Sequence, residues 1–158
     1  MNPITVAEVR AAHKAWGEAL VSIATAYAEG GDYVGIAGKV LDTAYGYDDG
    51  VVLFKPTLVA DVPFRYTRDG AASYFLGKDV TGSGIAEDGG FAIKPWKAVR
   101  FEDGEIILNG ETALWMGAVH ITNAEGAVTT VHKTFGYYRA KDGSVKIQVH
   151  HSSVPFKA

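Results

Sequence analysis

The sequence predicts an α+β fold in which helices come first and a curled antiparallel sheet follows. Apolar positions at helical spacing fill the N-terminal part, the C-terminal half alternates with period two between short turn signals, and no helical pattern returns among the strands. Long strands curling against one long helix leave a concavity open at one end.

Each element can be justified in order. Thr5 and Glu8 form a capping box, in which hydroxyl and carboxylate satisfy the free N–H groups of a starting helix. Val6, Val9, His13, Trp16, Leu20, Ile23 and Tyr27 then recur at spacings of three and four, one apolar face. Gly30-Gly31 ends it. Asp32 caps a second helix with Ile36, Val40, Leu41 and Ala44 as its buried stripe, ending near Gly46. A short apolar run, 51–54, stops before Pro56. Thr67 caps a third helix over 69–76, closed by Gly77. The stretch 78–90, rich in Gly, Asp and Ser, reads as loop, with Glu87 and Asp88 solvated; Asp48 and Asp49 read as turn residues. Strands 97–102 and 105–109 flank Asp103-Gly104, a hairpin signal. Strand 112–122 follows Asn109-Gly110, strand 128–139 follows Gly126, and strand 144–155 follows Asp142-Gly143. There is no internal repeat and no sign of a second domain, so residues 1–158 are expected to form one.

The 158 residues are 47% hydrophobic and 21% charged, an ordinary globular balance that suggests neither disorder nor a membrane span. A net charge of −3 without a basic stripe excludes a nucleic-acid partner. With no cysteine there are no disulfides, thiolate metal sites or Cys nucleophile. The first 29 residues carry charges throughout and do not read as a signal peptide.

The final strand raises the chemical question. Val145, Ile147 and Val149 alternate with Lys146 and Gln148, and that phase points His151 and Ser153 inward unless a bulge shifts it. His151, with an ordinary imidazole pKa near 6.5, is a candidate proton acceptor; the other reading is that it orients Ser153 or a neighbouring Tyr. The remaining histidines are His13, His120, His132 and His150. A catalytic zinc needs three convergent ligands, yet His150 and His151 point to opposite faces and no His-x-His spacing occurs. His13 and His151 could converge, with a third ligand to be guessed. Trp16, Phe54, Phe64, Trp96, Trp115, Phe135 and Tyr137 could line a small apolar chamber, most of them as core.

The ending "TFGYYRAKDGSVKIQVHHSSVPF" resembles the end of the calcium/calmodulin-dependent kinase II association domain, a member of the cone-shaped nuclear transport factor 2-like superfamily. Together, "AYGYDDGVVLFKPT", "PFRYTRDGAASYFLG", "GFAIKPWKAVRF" and "HHSS" resemble the iota class of carbonic anhydrases over nearly the whole chain. That resemblance implies N-terminal helices packed on a curved antiparallel sheet and reversible hydration of CO2 to bicarbonate. In the algal and cyanobacterial branch it implies a metal-free site, with no cofactor, in which hydroxyls hold bicarbonate. A diatom branch is described as metal-dependent, so zinc or manganese is the alternative. Carried over by block, the hydroxyls are Thr57 of "FKPT", Tyr74 of "ASYF" and either Ser152 or Ser153 of "HHSS", the strand phase favouring Ser153.

The expectation is therefore a metal-free carbonic anhydrase in which Tyr74, Thr57, Ser153 and His151 act on CO2 and bicarbonate. The alternative is a non-catalytic cone-fold module for dimerisation or small-ligand binding, and a third reading, a cyclase or isomerase, needs an ionised carboxylate in a deep pocket. A homodimer through the outer sheet face is expected, with no membrane partner. A plastid and a bacterial cytoplasm both fit as compartments.

Overall fold

In the computed structural model, which describes residues 2–80 and 84–158, α1 (Val6–Ala28) starts at the expected capping box. Glu8 N–H donates to Thr5 Oγ1 at 3.2 Å, and Thr5 N–H donates to the Glu8 carboxylate at 2.9 Å. The helix buries Val9, His13, Trp16, Leu20 and Ile23; Tyr27, expected on the same face, is exposed, its ring edge-on to Tyr33 at 5.0 Å. α2 (Tyr33–Ala44), capped by Asp32, buries Ala37 and Leu41, while Ile36 turns outward. α3 (Arg68–Leu76), capped by Thr67, is buried from Ala71 to Leu76. Of the expected loop 78–90, residues 81–83 lie outside those described; Lys78 N–H donates to the Asp88 carbonyl across its base at 3.2 Å.

The six strands are β1 (Leu53–Lys55), β2 (Trp96–Phe101), β3 (Glu105–Asn109), β4 (Thr112–Asn123), β5 (Val128–Arg139) and β6 (Val145–Ser153). Their order is β1-β6-β5-β4-β2, with β3 pairing the first half of β4 and β2 its second half. The sheet is mixed rather than wholly antiparallel, because β1 runs parallel to β6. No hairpin links these two strands, so turn geometry does not force them antiparallel. α1 packs across the concave face, and the aromatic core lies between them.

One irregularity decides what that face contains. β5 and β6 pair Tyr137 with Ile147 but Gly136 with Val149, so Gln148 is an extra residue in β6. The bulge shifts side-chain phase by one position. His150 and Ser152, 1% and 0% exposed, face the core, whereas His151 is exposed and Ser153 half-buried. The expectation that His151 and Ser153 point inward is thereby corrected. Val149 sits on the outer face against Gly136, where a Cβ would come 2.8 Å from that of Val149.

Turns follow the Gly signals, and one of them is also tightly packed. Gly104 has φ of +57°, and a Cβ there would press on the Met116 carbonyl and the Trp115 indole, whose N–H donates to the Asp103 carbonyl at 2.8 Å. Gly126 has φ of +82° with open space around it. Gly126→Ala should cost only the left-handed backbone penalty, about 1–2 kcal/mol. Gly104→Ala should cost more, because that same penalty is joined by overlap. Urea unfolding of the two variants checks the order; equal costs would contradict it.

Candidate active site

Register places four rings side by side across the concave face: Trp115, Phe135, His150 and Phe54. Their centroids are 6.1, 4.4 and 4.5 Å apart in sequence across the row. The next row toward the β6 end aligns Gly117, Lys133 and Ser152. Thr57, just past β1 and Pro56, brings Oγ1 to 2.6 Å from Ser152 Oγ. Tyr74 reaches in from α3; its ring stacks on Phe91 at 5.6 Å, and its Oη accepts from Leu58 N–H at 3.3 Å. A narrow pouch lies among Trp16, Phe54, Thr57, Tyr74, Lys133 and His150.

Four buried polar side chains form a connected chain, while among the described residues His13 Nε2 and Tyr137 Oη are buried without a partner. Trp16 Nε1–H donates to Tyr45 Oη at 3.0 Å, Tyr45 Oη lies 2.9 Å from His150 Nδ1, and His150 Nε2 lies 2.8 Å from Lys133 Nζ. Burial holds the His150 pKa well below the imidazole range, so the ring is neutral. Burial also pushes the Tyr74 hydroxyl up to about 12, which keeps its proton at neutral pH. Lys133, 3% exposed, stands 4.8 Å over the Trp16 ring; burial, then the nearby Lys55, lowers its ammonium to about 7.

A buried ion pair fixes Tyr74 from behind. Arg65, 1% exposed, donates through Nη1 and Nη2 to both oxygens of Asp88 at 2.6 and 2.8 Å, and Ser73 Oγ donates to Asp88 at 2.7 Å. The guanidinium also reaches the Gly70 carbonyl in α3 and the Val62 carbonyl. Glu87 accepts from the N–H groups of Ala60, Asp61 and Val62. Glu87 and Asp88 are thus structural anchors rather than solvated loop residues. They pin α3 to the segment after β1, which fixes Tyr74 relative to Thr57.

Of the expected site residues, the structure brings Thr57, Tyr74 and Ser152 together and leaves Ser153 and His151 off the concave face. His13 stacks on Phe101 at 4.5 Å inside the core, so it does not converge with His151. Phe64 is exposed against Tyr66 and lines nothing. Among the described residues no three His, Asp or Glu side chains group as a metal would need. Lys133, Tyr45, His150 and Arg65 are additions. Lys133 was readable, since it shares the inward phase of Val131, Phe135 and Tyr137. Arg65, in an irregular segment, carried no periodic signal.

Helices followed by a curved sheet with its cavity between them define a nuclear transport factor 2-like fold. A putative calcium/calmodulin-dependent kinase II association domain from Xanthomonas campestris shares it at TM-score 0.64 and 22% identity, covering 100% of this chain and 97% of that one. A putative dehydratase of the NTF2-like family from Streptomyces avermitilis does so at TM-score 0.59 and 17% identity, with 96% of each chain covered. A cyanobacterial iota-carbonic anhydrase crystallised with bicarbonate superposes at TM-score 0.94 with 46% identity, covering 100% of this chain and 97% of that one. The metal-independent carbonic anhydrase of a Nostoc species is 46% identical over 157 residues, 98% of this chain and 75% of the relative. The sequence profile of the metal-independent carbonic anhydrases matches residues 7–154, and the chain belongs to that family.

The ion pair yields a stability prediction. Asp88→Ala removes the bidentate partner of the buried Arg65 charge and leaves it only Glu87 at 3.5 Å, so it should cost about 3–5 kcal/mol in urea unfolding. Arg10→Ala, which breaks an exposed pair with Asp103, should cost under about 1 kcal/mol. Similar small losses for both would contradict the anchoring role of Asp88.

Proposed function

We propose that reversible hydration of CO2 to bicarbonate runs, without a metal, in the pouch lined by Thr57 and Tyr74, with Ser152 bonded to Thr57 beside it. The observation that carries this reading is the convergence of three hydroxyls from separate elements at the end of an apolar aromatic wall, in a chain of the metal-independent carbonic anhydrase family. CO2 is apolar and fits against Phe54 and its neighbours. The hydroxyls, each able to donate and accept, match an anion with one O–H and two acceptor oxygens. A water held among them is positioned to attack the carbon, and Tyr74, protonated at working pH, donates to the oxygen that gains charge. Ser152 replaces Ser153 in this scheme because of its orientation, and His151 has no part in it. An isomerase reading finds little support, since the buried carboxylate nearest Tyr74, Asp88, is committed to Arg65.

Self-association through the outer sheet face completes the proposal. Ile107 and Met116, 64% and 65% exposed, flank Leu114 there in adjacent register, an apolar strip that a second copy would cover. Light scattering at micromolar concentration should give twice the 16.8 kDa chain mass, and Met116→Lys should halve it. A monomer of the unaltered chain would end the dimer proposal.

Thr57→Val, Tyr74→Phe and Ser152→Ala should each lower CO2 hydration about ten- to a hundredfold, the effect of about 1–3 kcal/mol from an unpaired partner in the reaction complex. Ser153→Ala and His151→Asn should leave the rate unchanged, and activity should survive exhaustive chelation. Full activity in all three hydroxyl variants, or loss on chelation with recovery on zinc, would defeat the reading. A folded chain with no hydratase activity would favour the non-catalytic module.

A further inference from the structure

The polarity of the buried hydrogen bonds can be read from the Trp16 end. An indole N–H only donates, so Tyr45 Oη accepts from it. The Tyr45 hydrogen then has His150 Nδ1 as its recorded partner. A neutral His150 with a bare Nδ1 carries its hydrogen on Nε2, which faces Lys133 Nζ at 2.8 Å. In this tautomer Nζ answers with a lone pair, which only the uncharged amine has; the opposite tautomer would admit an ammonium donating to Nε2 but would leave the Tyr45 hydrogen unpaired. We propose that Lys133 rests as a neutral amine at the pouch and is the proton acceptor for the water that attacks CO2. This rests on the pouch being the site of hydration.

The surroundings of Nζ point the same way. It shares the pouch lining with Trp16 of α1, Tyr74 of α3 and His150 of β6, while Lys55 of β1 and His151 of β6 are nearby titratable groups outside the pouch; none of these is a carboxylate. Lys55 donates to the Ser152 carbonyl at 2.9 Å, which keeps a second amine close by. Burial and the nearby Lys55 disfavour an ammonium more than the Trp16 face favours it, in agreement with a titration near 7. Lys133 is also the register partner of Ser152, so its amine and that hydroxyl stand on one face within reach of one small molecule.

The step balances. The water oxygen bonds to carbon, one C=O pair moves onto oxygen, and the released proton passes to Nζ, which turns its lone pair from His150 toward the water. The products are bicarbonate and the Lys133 ammonium. Facing the His150 N–H and Lys55, that ammonium gives its proton to a buffer base at the pouch mouth, restoring the amine. In reverse it protonates the bicarbonate hydroxyl. Hydration therefore rises as pH rises through about 7 and levels off above it, while dehydration falls.

The test is done on the intact chain with [13C]-lysine labelling. The Lys133 side-chain signal, assigned by its absence in Lys133→Met, should titrate with a midpoint near 7; an ammonium persisting to pH 10 would overturn the proposal. Lys133→Met should still bind [13C]-bicarbonate yet lose hydration by about 10²–10⁴-fold, with partial recovery on adding imidazole. An unchanged rate and pH profile would overturn it, as would joint loss of bicarbonate binding and rescue, which would make Lys133 an anion clamp. Ser152→Ala in the same assay separates the two claims: full activity there removes the pouch reading itself, whereas an impaired Ser152→Ala beside an unaffected Lys133→Met removes only the proton acceptor.

Discussion

The bulge at Gln148 is the constraint on which the concave face depends. Because one residue is unpaired, β6 delivers His150 and Ser152 to the interior and keeps Ile147 there as well. Without it, strict alternation would send His151 and Ser153 into an aromatic core, set His151 rather than Ser152 opposite Lys133, and turn His150 away from Tyr45. The hydroxyl contact between Thr57 and Ser152 depends on the same phase.

What the bulge introduces, the surroundings must satisfy. A polar group buried without a partner costs a few kcal/mol; His13 bears this at Nε2, whereas His150, at the centre of the ring row, has both nitrogens engaged. Tyr45 and Lys133 do this. The arrangement couples stability to chemistry, since the contact that satisfies Nε2 also sets the charge of the amine beside the pouch. The Arg65–Asp88 pair plays a parallel part on the helical side, where a buried charge pair with its hydrogen bonds filled holds Tyr74 at a fixed position. Hydroxyls held this way need little reorganisation when water and CO2 meet, the requirement for positioning to replace a metal.

Much of this was legible in the chain. The capping box, the Asp103-Gly104 turn and the order of elements follow from local rules, and Tyr74 falls on the expected third helix. The side of β6 was not legible, because a bulge leaves no mark in the pattern: Val145, Ile147 and Val149 look like an unbroken strand, and Val149 is simply an apolar residue on the outer face. Charged residues misled in the other direction. Asp88, in a stretch that reads as solvated, is buried by Arg65, a partner 23 positions away that no local window reaches. Lys133 shares its phase with core residues, and period-two alternation marks a strand without marking what an amine does inside it.

The central claim is that bicarbonate occupies the pouch and is held by hydroxyls. A crystal structure of this chain soaked in bicarbonate tests it most directly. The account predicts an anion with oxygens within about 2.6–3.2 Å of Thr57 Oγ1, Tyr74 Oη and Ser152 Oγ. Bicarbonate bound only elsewhere, for instance in the groove between α1 and β2 beside Arg10 and Arg100, with the pouch unchanged, would contradict it.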